Sequence, residues 1–443
     1  MAPVFNPAEL KLRDAERIRG YRPLLDFYAG RQWAERSGSR EKQLTFNYAR
    51  VVLDKLTSYL AGGMRICLLP AGDHPEGEKQ ALLAERALRQ AAEDNNLEQL
   101  DFDTELDCAI LGDAAYKVAW DTRAGRVRVS APDARGLYAW WRPDDARQVW
   151  RVAFSYPAEV ESAGDKAVVE VWTDEIFELW RDGRLAERKP NPYGFIPFII
   201  FPNLRQPKCF WGQSDLPALM EPQRELNRAL SQLSHILELS GNPIAVLENV
   251  ERSEDIAVRP GAVWSLPEEA KAYLLDLLQG GGVNLHLGYI EMLYRTLHDI
   301  AESPRAAFGG VGRDLSGVAL EMEMQPLLQK IWRKRLIREA VYRQRALMML
   351  KLIQRYRGQD FGSPRIDVTW SAVLPRDVSR VAAGEEAMVQ SGIHSRRRAM
   401  EELGVSDPET EFKRWLEERG AILSMNRQYQ TRQNPPREQG DLR

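Results

Sequence analysis

The residue types that most often carry chemistry are sparse in this chain. Its five histidines, His74, His235, His286, His298 and His394, are scattered over 443 residues. A zinc site needs histidines, cysteines or carboxylates at short fixed spacings, and neither HExxH nor a paired CxxC occurs. The three cysteines, Cys67, Cys108 and Cys209, lie far apart, which fits no disulfide framework and suggests a reducing compartment. There is no GxxxxGK(S/T) phosphate loop and no GxSxG elbow. Gly212-Gln213-Ser214-Asp215 lacks the second glycine of such an elbow, and Ser214 reads as a helix cap with Pro217 in the first turn. Gly309-Gly310-Val311-Gly312 superficially resembles a phosphate cradle. No clear strand precedes it and its spacing is not GxGxxG, so it reads as a flexible turn between helices. Carboxylates are too plentiful to nominate a hydrolase pair. No catalytic residue, metal ligand or cofactor is expected, and the chain reads as a non-enzyme.

What the chain does carry is charge in blocks. Ten basic residues and one acid, Glu339, lie between Lys330 and Arg357, whereas Glu93 to Asp107 holds seven acids and no base. The acidic stretch reads as a solvated face. Arg305 and Arg313 flank the glycine loop. Overall, 61 basic and 64 acidic side chains give a formal net charge of −3. That near balance argues against a simple DNA-coating protein, which would be strongly basic.

These residues have to be positioned by a sizeable scaffold, since 443 residues are too many for one ordinary core and two to four domains are expected. Apolar spacing predicts helices over 8–30, about 47–60 (stopping at Gly62-Gly63) and 76–111. From 114 to 201 the texture alternates, as in AAYKVAW, RVRVSA, QVWRVAFSY, AVVEVW and EIFELW, predicting short antiparallel strands. Seven of the twelve tryptophans fall between Trp120 and Trp211, which suggests sheet packing rather than a ligand site. Leu219, Leu226, Leu230, Leu233 and Leu237 then form one stripe on a helix ended by Gly241-Asn242-Pro243. A compact segment follows, with strand-like PIAVLENV and AVWSLP and a short helix around 268–278, closed by Gly280-Gly281-Gly282. The next helix places Ile290, Leu293, Leu297 and Ile300 on one face and stops before Pro304. Ser316 is expected to cap a helix running to Arg357, roughly 60 Å long and kinked at Pro326. RIDVTW at 365–370 reads as a strand, short helices lead to about Gly420, and residues 421–443 are expected to form a disordered tail. The N-terminus lacks the apolar core of a signal peptide. The longest strongly apolar stretch, FIPFIIF at 195–201, is too short to span a bilayer.

The order of these elements resembles the portal family of tailed bacteriophages, of the siphovirus type. Five stretches carry the resemblance: LTFNYARVVLDKLTSYLAGG at 44–63, LDCAILGDAAYKVAWDTRAGRVRV at 106–129, WGQSDLPALMEPQRELNRALSQLSHILELSGNPIAVL at 211–247, SGVALEMEMQPLLQKIWRKRL at 316–336 and MVQSGIHSRRRAMEELGVSDPETEFKRWLEE at 388–418. Together they extend over roughly residues 40–420, and their order is more specific than any one of them. The resemblance implies an α+β portal fold. Its parts would be a mixed wing domain (1–210, and 317–375 with the long helix and a strand), a two-helix stem (211–241 and 284–303), a small α/β clip between the stem helices (242–283), a tunnel loop (304–316), a helical crown (376–420) and the tail (421–443). It also implies that Arg305, Phe308, Gly309, Gly310, Gly312 and Arg313 face the channel. The implied function is a homo-oligomeric ring, usually a dodecamer, at one capsid vertex. Through it double-stranded DNA is packaged and ejected. The implied partners are the terminase packaging motor, then head-completion or adaptor proteins and the tail, together with capsid and scaffolding proteins. The implied location is the virion, and the host cytoplasm during assembly, with no membrane and no cofactor.

Electrostatics are compatible with that reading. Each phosphate neutralised by a fixed base adds salt-dependent affinity, and ring symmetry multiplies every contact. A near-neutral chain therefore suits DNA passage better than DNA binding. In such a ring the basic run, with Arg333, Lys334, Arg335 and Arg338, is expected to pair with acids of the neighbouring subunit, such as those at 93–107. Leu226, Leu230 and Leu233 are expected to pack helices within or between subunits. The rivals are a nucleic-acid-binding protein that forms no ring and uses the 330–357 helix, an enzyme with an unrecognised site, and a different virion ring or adaptor.

Overall fold

The computed structural model of the chain describes residues 5–33, 43–70, 74–145, 147–157, 167–241, 244–248, 269, 271–275, 282–309, 317–374, 378–405 and 408–433. A 3-10 turn at Pro7–Lys11 precedes helix α1 (Ala15–Tyr28), and Asp14 between them takes a left-handed φ of 54°. Asn47 caps α2 (Tyr48–Ala61) by accepting from the Arg50 N–H. Strand β1 (Met64–Leu69) follows. The single helical pattern read over 76–111 resolves into α3 (Pro75–Asp94) and α4 (Leu97–Leu111), because Asn96 turns left-handed at φ 47°. Asn95 makes the corner useful. Its amide donates to the carbonyls of Ala91 and Val127 and accepts from the Val129 N–H, fastening the break to a strand.

The alternating region forms β2 (Asp113–Asp121), β3 (Arg126–Ser130), β4 (Leu137–Trp141), β5 (Val149–Pro157), β6 (Ala167–Trp172), β7 (Ile176–Arg181), β8 (Arg184–Pro190) and β9 (Phe198–Pro202). Every described pairing is antiparallel, as period-two alternation predicts. The strands build a three-stranded sheet, β3-β2-β9, and a five-stranded sheet, β4-β5-β6-β7-β8. Trp172 packs with Leu137, Val152, Phe177 and Phe198, whereas Trp140 and Trp180 pack with Phe5, Tyr138 and Val171. These tryptophans do fill sheet faces.

Two short strands, β10 (Leu204–Arg205) and β11 (Gly212–Gln213), pair and return the chain to the end of α4. The approach there is backbone on backbone. A Cβ on Gly112 (φ 95°) would lie 2.8 Å from the Ser214 nitrogen, and one on Gly212 would lie 2.4 Å from the Gly112 oxygen. Both positions need glycine.

Helix α5 (Pro217–Gly241), β12 (Ile244–Glu248), β13 (Lys271–Leu275) and α6 (Gly282–Ile300) come next. The short helix expected around 268–278 is not what residues 271–275 form. They are a strand whose backbone groups pair with β12, Ile244 opposite Leu275. The strand-like AVWSLP lies outside the described residues. The helix expected from Ser316 to Arg357 is two, α7 (Gly317–Glu323) and α8 (Gln325–Arg357), separated at Met324. Pro326 sits in the first turn of α8 and not inside a bend, since its missing N–H costs nothing there. With 33 residues, α8 is about 50 Å long. It runs through the main core, where Tyr342, Met349 and Leu352 meet residues of α3, α4, β2 and β9. Strand β14 (Arg365–Trp370) closes this unit by pairing with β1.

The chain divides into two compact units, Met1–Val373 and Leu374–Arg443. In the second, α9 (Val378–Gln390), α10 (Arg396–Glu402) and α11 (Pro408–Gln433) are the described helices. Ser395 caps α10, Arg396 lies over Trp415, and Arg397 pairs with Glu409 at 3.2 Å. Helix α11 continues through Gly420 to Gln433, so residues 421–433 are helical where a disordered tail was expected. One glycine costs a helix only about 1 kcal/mol relative to alanine, and the residues after it include good helix formers.

Candidate functional site

Lys330, Lys334, Arg338 and Arg345 recur at helical spacing on α8, so they share one stripe. That stripe is buried. Each cation meets an acid of its own chain. The Lys330 and Lys334 ammonium groups bracket Asp215 at 3.0 and 2.5 Å. Arg338 spans both oxygens of Glu105, at 2.7 and 2.8 Å, and donates to the Pro202 carbonyl. Arg345 pairs with both oxygens of Asp101, which also accepts from the Tyr116 hydroxyl at 2.8 Å. Asp101 and Glu105 stand one turn apart on α4, so α4 and α8 run in opposite senses along the row. Burial penalises the Asp215 carboxylate, but Lys334 and Lys330 outweigh burial and hold its pKa well below the usual range. Burial also disfavours the Arg338 cation, and Glu105 overrides it.

Nearby, Asp113 shows the opposite balance. It accepts from the Tyr21 hydroxyl at 2.9 Å and the Gly212 N–H at 2.7 Å. Burial nevertheless dominates and pushes its pKa up to about 6.

A second stripe, on α5, is made of amides and a hydroxyl. Gln223 accepts from the Ala49 N–H and donates to the Phe46 carbonyl, Asn227 accepts from the Phe46 N–H, and Ser231 accepts from the Leu44 N–H. These side chains hold the chain entering α2 against the base of a hairpin formed by α5 and α6. Sequence reading passed over them, although their spacing of four was the available signal. Ser214, expected as the cap of α5, instead donates to the Ile110 carbonyl at 2.6 Å while accepting from the Leu216 N–H.

Burial changes along this hairpin. At its base Leu219, Leu226, Leu293 and Leu297 are buried with Ala49, Val52 and Leu53 of α2. Leu230 and Leu233 are half-buried. Toward its tip Leu237 is 53% exposed, Leu287 49% and Leu285 77%.

Helix α6 leads into the glycine loop over a fastened turn. Glu302, at a left-handed φ of 52°, receives Arg333 on both oxygens at 2.7 Å, and Lys330 donates to the Ala301 carbonyl at 3.0 Å. His298 lies between the Tyr294 and Phe308 rings, with Nδ1 2.6 Å from the Ser303 carbonyl. Burial lowers its pKa and favours the neutral ring. The loop base is therefore tied to α8 at two points.

The expected channel residues fall as follows. Arg305 is exposed and pairs with Glu291 at 2.8 Å, Phe308 is half-buried against His298, and Gly309 is exposed at φ 80°. Gly310, Gly312 and Arg313 lie outside the described residues. Of the expected interface residues, Arg333 is exposed, and Arg335 reaches the Tyr59 and Ser371 carbonyls. Lys334 and Arg338 require a correction. Both are buried against acids of their own chain, so they present nothing to a neighbour, and Leu226 is likewise internal. The acidic stretch is corrected in part, since Asp101 and Glu105 are buried partners, whereas Glu93, Glu98, Asp103 and Asp107 are exposed as a solvated face requires. The same burial removes four of the ten bases at 330–357 from any contact with nucleic acid.

Among the described residues no group of three or more His, Cys, Asp or Glu gathers as metal ligands, and no helix is long and apolar enough to cross a membrane. A family model described as phage portal protein, SPP1 Gp6-like, matches residues 9–424. No curated protein gives a match.

Proposed function

The chain belongs to the SPP1 Gp6-like phage portal proteins, a structural family of the virion, and from that premise we propose that it assembles into a homo-oligomeric ring that conducts double-stranded DNA. The observation that carries the ring is the gradient along the α5–α6 hairpin, buried at its base and apolar but bare toward its tip. Contiguous exposed apolar surface marks a contact site. A neighbouring copy that covers the tip repeats the contact head to tail, and such contacts close into a ring where the rotation between copies closes. The β12–β13 pair supports the same reading. Two strands alone are marginally stable, and edge pairing with a neighbour's strands would extend them.

In this proposal α5 and α6 form the stem, β12 and β13 belong to the clip, 304–316 is the tunnel loop, and α9 to α11 form the crown. The ring is a dodecamer at one capsid vertex. It takes the terminase motor during filling and head-completion or adaptor proteins afterwards, with capsid and scaffolding proteins around it. Within the channel, Arg305 is already partnered by Glu291, which supports contact with DNA without a fixed grip. The test of the loop's role is a DNA-packaging assay on particles carrying Arg305→Gln with Arg313→Gln. Altered packaging or DNA retention with intact rings is expected. Unchanged packaging and retention would overturn the role assigned to the loop.

A further inference from the structure

Arg86 on α3, Arg126 on β3 and Arg357 at the end of α8 line one cavity of about 190 Å³. Leu83, Val127 and Ile353 contribute apolar wall. None of the three arginines pairs with a carboxylate among the described residues. Arg126 donates to the Asp94 carbonyl at 2.7 Å and Arg357 to the Gly125 carbonyl at 2.9 Å, so backbone holds both guanidinium groups in place. The one acid lining the cavity, Asp94, accepts from Gln90 instead. Elsewhere this chain readily supplies carboxylates to arginines, as at Arg31–Asp26, Arg89–Glu85 and Arg343–Glu339. Here three arginines around an apolar concavity form no ion pair among the described residues, with Asp94 in the same lining and Asp121 feeling the charge of Arg126.

We propose that this cavity is a docking site for a short acidic, leucine-bearing peptide segment of a protein partner. Guanidinium groups already fixed by backbone bonds recognise carboxylates with two parallel N–H donors and little further loss of freedom. The apolar wall, which includes the exposed Leu83, takes an aliphatic neighbour of that carboxylate. Nucleic acid fits less well. The aromatic rings beside Arg357 are Trp120 and Tyr356, and they are stacked on each other at 4.8 Å, which closes their facing sides to a base. The site lies within the first compact unit and does not depend on ring formation.

The test is fluorescence polarisation of the full chain with a labelled peptide of alternating glutamate and leucine, beside a version with glutamine for glutamate. The glutamate peptide is expected to bind and the glutamine peptide not to. Arg86→Glu, at a residue with no internal bond among those described, is expected to weaken binding at least about tenfold. Arg357→Gln is expected to weaken it less, and Arg22→Gln on α1 not at all. Equal binding of the two peptides, or an unchanged affinity in Arg86→Glu, would sink the proposal. So would a labelled oligothymidylate that binds with the same sensitivity to Arg86→Glu and is not displaced by the glutamate peptide. Particle mass, measured on each variant, separates a failure of docking from a failure of assembly.

Discussion

The long helix α8 and the α5–α6 hairpin invert the usual distribution of side chains in opposite ways. Helix α8 takes charges inward, where Lys330, Lys334, Arg338 and Arg345 are met by Asp215, Glu105 and Asp101. The hairpin turns leucines outward, with Leu237 and Leu285 bare near its tip. The first arrangement is complete within one chain, because each buried cation has its counter-ion at hydrogen-bond distance. The second is incomplete, because nothing described in the chain covers the tip. The contrast separates what holds the subunit together from what is left for another molecule.

The largest effect should come from breaking a buried pair. Arg338→Met alone leaves Glu105 buried without its counter-ion and is expected to cost about 3–5 kcal/mol in urea unfolding of the full chain, whereas Glu105→Leu with Arg338→Met together should recover most of the loss. A single-variant loss below about 1 kcal/mol would mean that the pair is not sealed from water. Next comes Asp113, whose raised pKa makes the folded state bind a proton more tightly than the unfolded state. Stability should therefore fall by about 2–3 kcal/mol as pH rises from near 4 through about 6, and Asp113→Asn should flatten that slope. Asp215 has the opposite sign. Its contribution is complete above the ordinary carboxylate range and is lost as pH falls below it.

A smaller change is expected from Arg333→Gln, which removes a half-exposed pair with Glu302 worth about 0–1 kcal/mol. The smallest effect on folding is expected at the hairpin tip. Leu285→Gln with Leu287→Gln should leave unfolding within about 0.5 kcal/mol of the parent while shifting the mass distribution away from large assemblies. If those substitutions destabilise the isolated subunit as much as Arg338→Met does, the contrast between the two regions fails.

Much of the scaffold was legible from periodicity. Alternation from 114 to 201 gave antiparallel strands, and the leucine stripe from 219 to 237 gave α5. The family followed from element order, which survives where no single motif is specific. The buried charges were not legible, because a run of bases looks the same whether it faces water or acids across a core. The clue lay in two helical stripes, Asp101 with Glu105 and Arg338 with Arg345, and only the fold says that they meet. Asn96 and Met324 split helices that looked continuous, since one residue's φ or one local break leaves the apolar period on either side undisturbed. The strand at 271–275 depended on a partner some 25 residues earlier, which local pattern does not report.

The most direct test of ring assembly is the mass of the purified full chain in solution, with negative-stain images of the same sample. A closed ring of about twelve copies with a central hole is expected. A dimer, or a monomer that persists at high concentration, would contradict it.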